Sequence, residues 1–185
     1  MHPQLAKVNV QLDEVSDLAQ RLVNSILPDD MRLRPEPDHW SVAECLVHLN
    51  LSSESFVQLI RNARRQAHEK QISGTPPYKM DTMGRLLNWA MQPPARIQVR
   101  TSEKFQPNLI EPLDNVLSRF ISLQEELKTE IANVDGLDLN RMIVQSPFSK
   151  RVRYNLYSCL VLIVTHQRRH LWQAENAKRA ILRER

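Results

Sequence analysis

Apolar residues recur at helical spacing over most of the chain. Leu5, Val8, Leu12, Val15, Leu18, Leu22 and Ile26 recur at steps of three and four, which predicts one stripe of a helix that Pro28 and the two aspartates after it stop. Pro35 and Pro37 then predict an extended connection, because each proline biases its predecessor away from the helical region. Ser41 and Glu44 form a capping-box pattern, predicting a second helix that runs through Cys45, Leu49, Phe56, Leu59 and Ile60 to about His68. A Gly-Thr-Pro-Pro cluster at 74–77 breaks it.

Residues 81–92 predict a short helix carrying Met83, Leu86, Leu87 and Trp89, closed by Pro93 and Pro94. From there to Pro107 the chain is polar, with Arg96, Arg100 and Lys104 at four-residue spacing, and reads as a long loop. A third long helix is expected to start near Leu109 or Pro112. It presents Leu113, Val116, Leu117, Phe120, Leu123, Leu127 and Ile131 and ends at Asp135-Gly136. A loop over 137–153 with the basic trio Lys150, Arg151 and Arg153 leads to the last helix, whose seam is Leu156, Cys159, Ile163, His166, His170, Gln173 and Ala177. Long helices joined by polar or proline-rich connections predict an all-α protein, most simply a four-helix bundle.

Composition supports this picture: 185 residues, 42% of them hydrophobic, suffice for one domain with a real core, and three glycines leave little provision for tight hairpin turns. A formal charge of +4 mixes 25 basic with 21 acidic residues, which supplies no nucleic-acid footprint. Cys45 and Cys159 sit in apolar helical patterns and read as buried free thiols, fitting a reducing cytoplasm. No segment is apolar long enough to be a signal peptide or a membrane span.

The chemistry lies in the last helix. His166 and His170, one turn apart on a core-facing seam, can reach the same ion. A third ligand is available in His48, on the flank of the second helix. Three neutral imidazoles suit Zn²⁺ or Ni²⁺ and leave a coordination position open. Gln173 can hydrogen-bond a ligand there, and Ser52, one turn after His48, has a weaker claim to that role. His39 beside Trp40 can face the mouth of such a site. His2 falls in a terminus expected to fray, and His68 lies in a charge run that reads as a solvated face.

The stretch Trp40-Ser-Val-Ala-Glu-Cys-Leu-Val-His48-Leu49, followed far downstream by His166-x-x-x-His170-Leu171-x-Gln173, resembles the DinB-like (YfiT-like) superfamily of metalloenzymes over nearly the whole chain. The resemblance implies a single domain over 1–185, an up-down-down-up four-helix bundle, a zinc or nickel ion held by His48, His166 and His170, and a homodimer. It also implies a small-molecule substrate. Relatives include S-transferases that use bacillithiol, mycothiol or glutathione-like thiols, maleylpyruvate isomerases and metal-dependent hydrolases. The implied activity is therefore metal-dependent activation of a low-molecular-weight thiol for S-transfer, with water activation by a hydrolase, or a non-catalytic metal- or ligand-binding bundle, as alternatives. No DNA-binding role is implied.

Overall fold

The computed structural model describes residues 1–94, 101–108 and 113–183. Among them the chain is mostly helical: α1 (Pro3–Asn24), α2 (Val42–Glu69), α3 (Thr82–Met91), α4 (Leu113–Asn133) and α5 (Leu156–Arg183). Two short 3-10 turns, Asp30–Arg32 and Glu103–Phe105, lie in the connections. Arg96, Arg100, Leu109, Pro112 and the side chain of Leu113 lie outside the described residues.

Each helix begins where its sequence supplies a cap. His2 is ordered rather than frayed: its Nδ1 accepts from the Gln4 N–H at 3.3 Å, just ahead of Pro3 at the first helical position. At α2 the capping box closes in both directions, with Ser41 N–H donating to Glu44 Oε2 at 2.8 Å and Glu44 N–H to Ser41 Oγ at 3.2 Å. Arg34 grips the same carboxylate from the preceding connection. Burial works against the Glu44 charge, but hydrogen bonds from Arg34 and Ser41 outweigh it and hold its pKa below the usual carboxylate value. Past α4 the chain turns at Gly136, whose φ of +84° is in the left-handed region that glycine enters without strain.

The stripe of α1 departs from the expected one at a single position. Ala19 is buried and Leu18 is 42% exposed. At 100° per residue Leu18 has drifted off the face defined by Leu5, Val8 and Leu12, whereas Ala19, four residues after Val15, falls in its centre.

Side-chain pairs fix how the long helices lie. Arg119 bonds Glu54 at 2.9 Å and Arg61 bonds Glu130 at 2.8 Å, so α2 and α4 run the same way. Lys128 pairs with Asp13 at 2.7 Å and the N-terminal ammonium with Asp135 at 3.4 Å, so α1 opposes α4. Gln4 meets Tyr157, Glu14 meets Arg168 and Ser25 meets Lys178, so α1 and α5 run together. The core is continuous between them: Leu12, Leu46, Ile60, Phe120, Ile131 and Leu156 are wholly enclosed.

The loop expected over 137–153 contains two short strands, β1 (Ile143–Gln145) and β2 (Arg153–Asn155), paired antiparallel with Val144 opposite Tyr154. This hairpin needs no glycine. Its seven-residue connection is held by the Ser146 N–H donating to Val152 O at 2.9 Å, and by Ser146 and Ser149 hydroxyls accepting from backbone N–H groups two residues on.

α3 is attached to the start of α5 through Asp81, which caps α3 by accepting from Gly84 N–H at 2.7 Å and accepts from Asn155 N–H at 2.7 Å. Its apolar residues are only partly used: Leu87 packs on the core, while Leu86 and Trp89 are more than half exposed. A Cβ at Gly84 would collide with the Ser158 side chain. Gly84→Ala is therefore expected to destabilise the protein by about 1–3 kcal/mol, seen as a lower urea midpoint.

Candidate metal centre

Three helical positions converge. His48 lies two turns into α2, His166 and His170 one turn apart on α5, and one ring nitrogen from each lies within 4.8 Å of the others. The ring centroids are 5.2 Å apart for His48 and His166, 4.3 Å for His48 and His170, and 4.6 Å for His166 and His170. His48 and His166 are 2% and 7% exposed, and His170 is half-buried. The three candidate ligands named from the sequence are thus brought together.

Hydrogen bonds orient two of the rings. The Phe105 carbonyl, 2.8 Å from His48 Nδ1, can only accept, so that nitrogen carries the proton and Nε2 presents its lone pair. His170 Nδ1 donates to Gln173 Oε1 at 3.1 Å, which again leaves Nε2 as a lone pair. Gln173 therefore orients a histidine. Removing the partner of a ligating imidazole typically lowers metal affinity 10–100-fold, and Gln173→Ala is expected to do so here by roughly that factor, with Gln173→Glu retaining tight binding, both measured by competition with a chelator.

His166 is different. Its Nε2 lies 3.3 Å from Nε2 of His48, and its buried Nδ1 has no hydrogen-bond partner among the described residues. If its Nε2 carries the proton, that nitrogen can donate to His48 but Nδ1 is left as a buried unpaired acceptor. If Nδ1 carries the proton, a donor is stranded and two Nε2 lone pairs face each other. A cation accepting the Nε2 lone pairs of all three rings removes that repulsion, so the donor set fits a divalent ion.

Burial holds all three imidazoles below their ordinary pKa. At His48 the bond to Phe105 offsets this in part. At His166 the neighbouring His170, His48 and Arg169 add to the depression, and at His170 His48 and Arg169 do so against the opposing bond to Gln173. Neutral rings at pH 7 have lone pairs free for a metal.

Aromatic side chains enclose the trio. Trp40 packs on His48 at 4.9 Å and stacks on His170 at 5.8 Å, and Phe148 lies 4.9 Å from His166, with Phe105 and Phe56 behind it. Phe105 and Phe148 were missed in the sequence because each is a lone aromatic in a polar stretch. That isolation was the available signal.

The remaining candidates do different work. Ser52 is buried and donates to the backbone carbonyls of His48 and Leu49, so it is a helix-bonded serine. His39 is exposed and lies 3.3 Å from a Glu36 carboxylate oxygen, and His68 is exposed. His2 caps α1 and packs edge-on against Tyr78. Lys150, Arg151 and Arg153 are exposed, and Lys104 sits 5.1 Å over the Phe105 ring. Cys45 and Cys159 are free and fully buried, and burial pushes both thiols above their ordinary pKa, which makes them inert.

The family model of the DinB superfamily matches residues 11–174. The chain belongs to the DinB superfamily. That span takes in all three histidines and ends one residue past Gln173. No curated protein and no solved structure matches the chain. For this DinB-superfamily chain the site therefore rests on its own geometry, a buried three-histidine cluster that can bind a metal ion.

Proposed function

We propose that this DinB-superfamily protein is a metal-dependent enzyme that activates a low-molecular-weight thiol for transfer to an electrophile, with zinc or nickel held by His48, His166 and His170. The observation that carries the thiol over water is the lining of the site. The imidazole partners are a backbone carbonyl and a carboxamide, and the walls are Trp40, Phe105 and Phe148. Among the described residues the three imidazoles bond to a backbone carbonyl, a carboxamide and one another, with no carboxylate among these partners. Aromatic faces favour a polarisable sulfur beside them.

When bound, the divalent ion would act as a Lewis acid that lowers the pKa of a thiol at its open position. The protein's own contributions are separate. Phe105 and Gln173 point two imidazole lone pairs inward, and the aromatic walls keep bulk water from the reacting sulfur. Arg169, half-buried on the same helix, adds positive charge beside His166 and His170 and so favours an anionic ligand.

The frame belongs to the same proposal: one domain, with α1, α2, α4 and α5 as an up-down-down-up bundle, supported by the parallel pairing of α2 with α4 and of α1 with α5. A homodimer in the cytoplasm completes it. Two free cysteines suit a reducing compartment, and no helix of the described residues is long and apolar enough to cross a membrane.

The test is turnover by zinc- or nickel-loaded protein given a small thiol and an electrophile, against simple esters and amides. Thioether formation that is lost on chelation supports the reading. Ester or amide hydrolysis without thiol consumption would replace it with a hydrolase.

A further inference from the structure

The hairpin tip, residues 146–152, is tied mainly to itself. Ser146 N–H bonds Val152 O at 2.9 Å, Val152 N–H bonds Ser149 O at 3.3 Å, and the Ser146 hydroxyl accepts from Phe148 N–H at 3.3 Å. Lys150 and Arg151 point to solvent. Val152 packs on the core, as does Phe148, and it is Phe148 that reaches the histidines. The Phe148 ring lies nearly parallel to two of the imidazoles, 4.9 Å and 30° from His166, and 6.5 Å and 25° from His48. Phe105 at 4.7 Å and Phe56 at 5.6 Å pack against it and also reach His48 and His166 edge-on. Trp40 covers His48 and His170. The imidazoles thus meet two aromatic faces, one carried by the connection before α2 and one by the hairpin.

We infer that Phe148 is the specificity-determining residue of the centre, admitting ligands that are slender next to the donor atom and rejecting those branched or ringed there. The inference rests on the proposed metal centre but not on thiol chemistry. An ion held by His166 and His48 would have the Phe148 ring beside it, so the group next to a donor atom on that ion would meet the Phe148 face. An unbranched neighbour lies flat on that face at van der Waals distance, whereas a quaternary carbon or ring overlaps it. Phe148 takes no part in bond making; it selects by shape.

The experiment uses the full-length protein loaded with cobalt(II), whose visible absorption reports binding at the ion. Ethanethiol and tert-butyl thiol are titrated into the wild type, Phe148→Ala and Phe148→Leu. The wild type is expected to prefer ethanethiol, and Phe148→Ala to shrink that preference by about tenfold, the scale of small steric differences in an apolar pocket, with Phe148→Leu intermediate. An unchanged preference in both variants overturns the inference. If cobalt binds but neither thiol alters the spectrum, the thiol reading fails on its own. Azide against benzoate then decides the role of Phe148, since Phe148→Ala has to raise benzoate binding relative to azide. Absence of any cobalt spectrum removes the centre and this inference together. Phe148→Leu, which keeps an apolar plug, covers the case in which the alanine variant does not fold.

Discussion

Replacing His166 by leucine is expected to abolish tight divalent-metal binding while raising the stability of the metal-free protein. Affinity should fall more than a hundredfold, because losing an outer partner of a ligand already costs 10–100-fold and here a ligand itself is lost. The stability gain has a separate cause. His166 is 7% exposed and its Nδ1 has no partner among the described residues, and a buried unpaired polar atom costs about 1–3 kcal/mol. Leucine has a similar volume and no such atom, and net of the contact it removes from the buried His48 Nε2 the apo-protein should gain up to about 1 kcal/mol, as function-bearing sites released from their chemistry often do. His48→Leu is the contrasting case. It strands the buried Phe105 carbonyl, and metal binding and apo stability should fall together. Urea unfolding in the presence of chelator, beside equilibrium dialysis with zinc, measures both quantities. If His166 were only a packing residue, its replacement would destabilise the apo-protein instead.

Acidification from pH 7 to pH 5 is expected to destabilise the metal-free protein. All three imidazoles are held below their ordinary value of 6.5, with burial as the largest cause in each. As the pH falls through that ordinary value, the unfolded chain takes up protons that the folded one refuses. Stability then drops by up to about 1.4 kcal/mol per pH unit for each histidine, and the loss levels off once the pH lies below the folded values. Glu44 contributes in a separate window. Its lowered pKa gives stability that is present above the ordinary value of 4.5 and lost at still lower pH. For the loaded protein the same depression delays competition from protons, so zinc should be retained below pH 6.5. Unfolding curves of apo and zinc-loaded protein across this range check the sign. Apo stability that is flat or rising from pH 7 to pH 5 would contradict burial of neutral imidazoles.

What could be read in advance was what the chain determines locally. The capping box at Ser41 and Glu44, the stop at Asp135-Gly136 and the seam carrying His166 and His170 each depend on residues within a few positions, and each is found in place. His48 was legible as a ligand because it shares a helix face with Cys45 and Leu49. Leu18 was misplaced because two successive three-residue steps, from Leu12 to Val15 to Leu18, carry it off the stripe, and Ala19 is the residue that faces in.

The hairpin was illegible for a different reason. Its strands are three residues each and it turns on serine hydroxyls, so neither period nor glycine marks it, and Asn155 is held by Asp81 from far upstream. Phe105 and Phe148 acquire meaning only when two polar segments meet over the histidines. Gln173 stood on the right seam, but its partner, His170 Nδ1, depends on side-chain geometry.

Metal content tests the central claim most directly. Wild type and His48→Ala, prepared without a histidine tag or chelators, would be compared by elemental analysis before and after incubation with zinc or nickel. The account predicts a single divalent ion per chain in the wild type and none retained by the variant. A wild-type protein that is metal-free as purified and takes up neither metal would contradict it.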